Sequence, residues 1–308
     1  MTAYYALTEN FNSFFKNLNP KASFVGIAAR EHQTITGLIE DPRGAAAALS
    51  PKCFLQGSYK QETAIYSIND VDIVALCNLW QPGSGGGQSW SRDAIFAAVA
   101  RPLLDDGRYR EKVGYGPQSM CVKLDLGIAI EILPVVYAAG NRDPSQEPFR
   151  LHRPETQKWE DGYARYHQAH LTQKNRLART GGNFIPAIKV IKHLRSRFNL
   201  DAVSFHIECL LYSVPDSLFV GGPADYIFAI LNYLAANSAS AWYQQGLMTP
   251  CGERNIFTPP EWGIASWTKF QEHIGLWAQA CQAAVAASLK GAAIRAWQLA
   301  LGDDFFPG

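Results

Sequence analysis

The sequence predicts an α+β protein, with a mixed sheet flanked by helices in its first half and a helical domain in its second. Three observations predict it. Apolar residues at helical spacing fill residues 4–50, an apolar stub at 53–55, an apolar run after Asp70-Val71-Asp72 and period-two alternation over 121–136 mark strands, and from about residue 150 the chain turns helix-rich. The expected domains are therefore 1–150, a sheet-bearing core with an N-terminal helical region, and 151–308, with His152-Arg153-Pro154 as the boundary. A chain of 308 residues has ample core for one large domain or two closely packed ones.

Composition narrows the function classes. A hydrophobic content of 47% with net charge +1 describes an ordinary globular chain and argues against strong nucleic-acid binding. No apolar run reaches the roughly 18 residues that a membrane span requires. The N-terminal MTAYYALTENF lacks the basic-then-apolar pattern of a signal peptide. The six cysteines (53, 77, 121, 209, 251 and 281) are scattered with no C-x-x-C, which argues against a zinc site or disulfide framework. Together these predict a cytoplasmic protein.

The first helical stretch carries Phe11, Phe14, Phe15 and Leu18 and breaks at Asn19-Pro20. Val25, Ala28, Ala29, Ile35, Leu38 and Ile39 repeat the three-and-four spacing beyond it. All of these read as core. An apolar stub, Cys53-Phe54-Leu55, then runs through Gln56 into Gly57-Ser58, and Asp70-Val71-Asp72 opens a second apolar stretch, Ile73 to Leu76.

Asp70 and Asp72 are two apart in a strand, so both carboxylates point to one face with Cα atoms about 6 to 7 Å apart. Like charges that close repel unless a cation sits between them. The spacing suits Mg²⁺, which takes oxygen ligands; Mn²⁺ is the alternative. Exposed backbone N–H groups at Gly57-Ser58, beside such a pair, suit the phosphates of a metal-bound nucleotide.

Residues 81–87, QPGSGGG, read as a flexible connector, and a helix follows with Ser91 as N-cap and Ile95, Phe96, Val99 and Leu103 as its apolar face. From Cys121 to Val136 the alternation is that of a strand, bent or turned at Gly127. Asp125 and Glu131 share a face but lie about 20 Å apart if the strand is straight, so at most one of them joins Asp70 and Asp72.

In the second half, Phe184 to Phe198 is an amphipathic helix with Phe184, Ala187, Ile188, Ile191 and Leu194 on one stripe; Lys189, Lys192, His193, Arg195 and Arg197 make the remainder basic. The C-terminal part reads as an Ala-rich helical pair, with Ala278 to Ala300 as close-packed helix.

Gly-Ser, a spacer of about a dozen residues and Asp-x-Asp together resemble the nucleotidyltransferase superfamily that includes DNA polymerase β. The longer string Gln56-Gly57-Ser58-Tyr59, Thr63-Ala64-Ile65 and Asp70-Val71-Asp72 resembles its CD-NTase family, the bacterial cyclic-oligonucleotide synthases related to cyclic GMP-AMP synthase. The resemblance spans nearly the whole chain. It implies a polymerase-β-like nucleotidyltransferase core followed by a helical nucleotide-binding domain. It also implies a third carboxylate from a neighbouring strand, in the frame acid, two apolar residues, Pro. Glu131-Ile132-Leu133-Pro134 fits that frame with Glu where Asp is commoner, and Asp125 is the fallback.

Carried over residue by residue, the resemblance puts Gln56, Gly57 and Ser58 at the nucleotide. Lys192 would contact the triphosphate, Ser204 would hydrogen-bond a phosphate, and Phe205 would stack on a base. The implied activity joins NTPs, ATP among them, into a cyclic di- or trinucleotide, with release of pyrophosphate. The ring would be a second messenger for a separate antiphage effector, and a regulatory protein partner is allowed. Two other readings remain open: a nucleotidyltransferase acting on an antibiotic, a protein or an RNA 3′ end, and a non-catalytic nucleotide-binding regulator.

Overall fold

The structure is a computed structural model and describes residues 5, 7–80, 90–138, 143 and 146–308. The expected 81–87 connector lies outside the described residues. The chain forms two compact units that interleave along the sequence. A sheet unit comprises Pro20–Gln61 and Ser67–Tyr166, and a helical unit comprises Met1–Asn19, Glu62–Tyr66 and His167–Gly308.

Helix α1 (Thr8–Leu18) buries Phe11, Phe14 and Leu18 in the helical unit and ends at the expected Asn-Pro break. Helix α2 (Ala22–Glu40) opens the sheet unit and buries Phe24, Ala28, Ile35 and Ile39. Strand β1 (Lys52–Gln56) runs into the single turn α3 (Gly57–Lys60), and β2 (Asp70–Trp80) pairs antiparallel with β1. Helix α4 (Arg92–Asp105) starts at Ser91, whose Oγ accepts from the Ala94 N–H at 3.2 Å.

Strands β3 (Val113–Gly114), β4 (Val122–Asp125) and β5 (Ala129–Tyr137) follow, then the hairpin β6 (Phe149–Arg153) and β7 (Lys158–Gly162). The sheet runs β1-β2-β5-β4-β3, with β6 beside the far end of β5 and β7 beyond it. The 121–136 segment is a hairpin rather than one straight strand. Gly127, at φ +80°, makes the turn, and Asp125 comes to lie opposite Ala129. The distance of about 20 Å expected for a straight strand is therefore corrected. Pro134 falls between Ile132, where β4 pairing stops, and Val135, where β6 pairing starts, so its missing N–H costs no ladder bond on that side.

Strand parity sorts the two faces. Val71, Ile73, Ala75 and Cys77 with Ile130 and Ile132 pack against α2 and α4 in one core. Val74 and Leu76 with Leu133 and Val135 point the other way into a smaller cluster. The strands continue through Gly162, so the boundary expected at 150 falls inside β6.

The helical unit continues with α5 (Ala164–Lys174), whose first residues belong to the sheet unit, then α6 (Leu177–Thr180), α7 (Phe184–Arg197) and α8 (Ser204–Ser213). Helices α9 (Pro223–Ala235), α10 (Ala239–Gln245), α11 (Ile264–Val285) and α12 (Lys290–Leu301) complete it. The Ala-rich pair is present, but residues 286–289 separate α11 from α12, so Ala278 to Ala300 is not one helix. The unit's core holds Trp262, Trp267 and Trp297 almost fully buried. All six cysteines are free thiols, and among the described residues no helix is long and apolar enough to cross a membrane.

Candidate active site

In the sheet unit the acids sit at the N-terminal ends of β2 and β5, on the face opposite α2 and α4. The parallel register of these strands sets Asp72 beside Glu131 and Asp70 beside Ala129. Adjacent strands lie about 4.8 Å apart, so Asp72 and Glu131 are nearest cross-strand neighbours with side chains on one face. Asp70 shares that face two residues earlier. Asp125 lies opposite Ala129 from the other side, one strand further from Asp70. Its carboxylate caps its own hairpin, accepting from the Gly127 N–H at 3.1 Å.

β1 brings the Gly-Ser turn to the same place. Gln56 is the register partner of Asp72, and Gly57 follows at φ +70°. A Cβ on Gly57 would fall 1.9 Å from Asp72 Oδ2. The turn therefore closes directly on the carboxylate, and only glycine has both the backbone freedom and the room for it. Ser58 follows in α3, partly exposed.

Two neighbours shape the electrostatics. Lys123 is the cross-strand partner of Glu131 on β4, and its Nζ donates to Glu131 Oε1 at 2.6 Å. That hydrogen bond, with burial opposing it more weakly, raises the lysine pKa. Cys121, just before β4, is pushed up to about 12 by burial and then by the nearby Glu131 and Asp72 charges, so its thiol stays protonated beside the acids. Among the described residues no three His, Cys, Asp or Glu side chains converge as a ready metal cage. The donor set nonetheless suits a hard divalent cation: carboxylate oxygens on one strand face, with Glu131 able to exchange its bond to Lys123.

In the helical unit the expected residues divide. Ser204 is the first residue of α8 and Phe205 the second, both partly exposed. The Phe205 ring is tilted against His167 at 4.9 Å between centroids, and the Arg254 guanidinium lies 5.4 Å from its centroid. Lys192, expected at a triphosphate, is 2% exposed instead. Its Nζ donates to Glu208 Oε1 at 2.7 Å and to Thr63 Oγ1 at 2.8 Å. Its place in α7 is the reason: the whole turn from Val190 to Leu194 is buried, so a position that a helical wheel assigns to the basic face points inward.

Around Lys192 lies a group that no motif announced. Thr63 Oγ1 donates to Glu208 Oε1 at 2.8 Å, and Glu208 Oε2 lies 3.1 Å from His167 Nε2. Burial by itself would raise the Glu208 pKa; the Lys192 ammonium and the His167 bond outweigh it and hold the carboxyl below the usual range. Thr63 opens the Thr63-Ala64-Ile65 string that carried the resemblance, yet without chemistry of its own to mark it. Glu208 is sixteen residues from Lys192, too far for any helical pairing rule.

With this geometry in hand, comparison with known proteins is informative. Residues 6–175 match the Second Messenger Oligonucleotide or Dinucleotide Synthetase domain. Residues 169–277 match the cGAS/DncV-like nucleotidyltransferase C-terminal helical domain. A cyclic UMP-AMP synthase from Rhodothermus marinus (strain SG0.5JP17-172) is 24% identical over 276 residues, covering 81% of this chain and 92% of the relative. The fold resembles that of the Rhodothermus marinus CdnE c-UMP-AMP synthase solved with Apcpp and Upnpp, with TM-score 0.68, 22% identity and coverage of 88% and 96% of the two chains. It also resembles the E. coli MS115-1 CdnC in a CdnC:HORMA-deltaN complex, with TM-score 0.71, 16% identity and 98% of each chain covered.

Proposed function

The chain belongs to the family of the Second Messenger Oligonucleotide or Dinucleotide Synthetase domain and is a nucleotidyltransferase, and on that premise we propose that it joins NTPs, ATP among them, into a cyclic di- or trinucleotide with Mg²⁺ or Mn²⁺ as cofactor. One observation carries the proposal for its chemistry: the register that pairs Asp72 with Glu131 while Asp70 shares their face. Three carboxylates on one sheet face at this spacing offer the oxygen donors that a hard divalent cation takes.

In the proposed reaction Asp70, Asp72 and Glu131 would hold the divalent metal. Bound there, such an ion would offset triphosphate charge and lower the pKa of a ribose hydroxyl. Gly57 and Ser58 orient the triphosphate through the backbone N–H groups of the turn and the serine hydroxyl. The acceptor hydroxyl oxygen forms a bond to the α-phosphorus, the bond to the β-phosphate breaks, and pyrophosphate leaves. A second transfer with roles reversed closes the ring. For the helical unit the proposal keeps Ser204 as a phosphate donor and Phe205 as a stacking surface. Lys192 reaches an anion only by exchanging its bond to Glu208 or Thr63.

The proposal extends to a second-messenger role for the ring, switching on a separate antiphage effector in the cytoplasm. A regulatory protein partner is included, since a relative of this fold was solved as a CdnC:HORMA-deltaN complex. The test is incubation of the protein with all four labelled NTPs and Mg²⁺ or Mn²⁺, phosphatase treatment and mass spectrometry. A phosphatase-resistant cyclic product is expected. Linear products alone, or transfer to another acceptor, would sink the cyclisation reading.

A further inference from the structure

Eleven residues separate Ser58 from Asp70, and the spacer is not an idle loop. Its middle, Glu62–Tyr66, packs within the helical unit, whereas the residues on either side belong to the sheet unit. The segment is fastened at both ends. Thr63 is fully buried, and its hydroxyl is used twice, donating to Glu208 and accepting from Lys192. His167 closes the group on the second oxygen of Glu208. Three residues on, the Tyr66 N–H donates to the Leu18 carbonyl at 2.8 Å, its hydroxyl lies 3.3 Å from His193 Nδ1, and its ring packs on Phe305. Ala64 and Ile65 between them are about 95% buried.

The geometry points to a clamp: Thr63, Lys192, Glu208 and His167 fix the spacer, and through it they position Gly57-Ser58 on one flank and Asp70 and Asp72 on the other. Thr63 is then a positioning residue for nucleotidyl transfer that touches no substrate. This inference rests on the proposed reaction for its kinetic part and on chain connectivity for the rest. A buried hydroxyl engaged as both donor and acceptor admits few orientations, so the backbone that carries it is held as well. Ser58 is five residues before Thr63, and Asp70 is four after Tyr66; such short tethers transmit a shift of the anchor to the turn and the strand start. A misplacement of about 1 Å can cost on the order of 10²-fold in rate.

The test compares Thr63→Val, which keeps shape and removes the hydroxyl, with Thr63→Ser, which restores it. Glu208→Gln is avoided as the main probe because it strands the Lys192 charge and endangers folding. Two readouts are taken on the full chain: kcat and KM from pyrophosphate release, and amide hydrogen exchange of residues 57–61 and 67–72. For Thr63→Val we expect kcat to fall about tenfold or more with KM changed less than about threefold, exchange in both flanks to rise, and Thr63→Ser to reverse both. Wild-type exchange in the flanks of Thr63→Val overturns the clamp. So does a rise spread evenly over the helical unit that serine does not reverse, since that marks a merely structural role. Should the wild type release no pyrophosphate, the proposed reaction fails, while the exchange comparison still decides the clamp by itself.

Discussion

Replacing Gly57 by alanine tests how closely the Gly-Ser turn approaches Asp72. Two costs follow from the structure. The backbone stays at φ +70°, which costs an L-residue about 1 kcal/mol or more. The new Cβ lands 1.9 Å from Asp72 Oδ2 and 2.8 Å from its Cγ, so the carboxylate must retreat by about 1 Å or more to reach an ordinary contact. Together these amount to about 2 to 3 kcal/mol of stability, and displacement of a carboxylate proposed to hold the metal to roughly 10²-fold in turnover. Gly127→Ala is the internal control. It has the same kind of backbone at φ +80° but nothing within 4 Å of the added Cβ, so it carries the first cost without the second. Thermal melts of the two variants are compared with pyrophosphate release at saturating NTP. Gly57→Ala is expected to lose turnover far beyond Gly127→Ala. Equal losses, or a Gly57→Ala enzyme at wild-type rate, would refute the reasoning that the room at Gly57 is what Asp72 needs.

Asp70→Asn and Asp72→Asn should each lower turnover by at least about 10²-fold while leaving the melting point near wild type, since both acids are partly exposed; retained product formation would remove them from the chemistry. Lys123→Met should change stability by less than about 1 kcal/mol, because the Lys123 side chain is 58% exposed, and should tighten Mn²⁺ binding a few-fold by freeing Glu131; weaker binding would show that the ammonium assists the metal instead. Burial lowers the His206 pKa from the usual 6.5 to about 4, so between those values the unfolded chain takes up a proton that the folded one does not. Its contribution to stability is therefore complete above about pH 6.5 and declines as pH falls toward 4, by roughly 3 kcal/mol at most. Urea melts at pH 7 and pH 5 should show a shallower loss for His206→Phe, which preserves a ring stacked on Trp262; an unchanged slope would contradict this.

Much of the site was legible because strand parity is local. Asp70 and Asp72 had to share a face wherever β2 lay, and Gly57-Ser58 had to turn after an apolar stub. The identity of the third acid was different. Strand geometry alone did not choose between Asp125 and Glu131, and only the resemblance's frame favoured Glu131; the turn at Gly127 and the parallel pairing of β2 with β5 set Glu131, not Asp125, beside Asp72. Lys192 shows the opposite failure. Its neighbours in α7 have helical periodicity, but burial on nearly every side of one turn left no basic face for it to belong to.

The sequence by itself determined the α+β class, the helical period of α1, α2, α4 and α7, the capped start of α4 and the pairing of two acids on one face. These depend on contacts within a few residues, where side-chain spacing and backbone preference decide. Only the tertiary structure decided that Glu62–Tyr66 leaves the sheet unit between two halves of a motif, that Thr63 and Glu208 enclose Lys192, and that β6 and β7 extend the sheet past residue 150. Each joins residues far apart in sequence, and such pairings are selected by burial and charge in the folded chain, which no local pattern encodes.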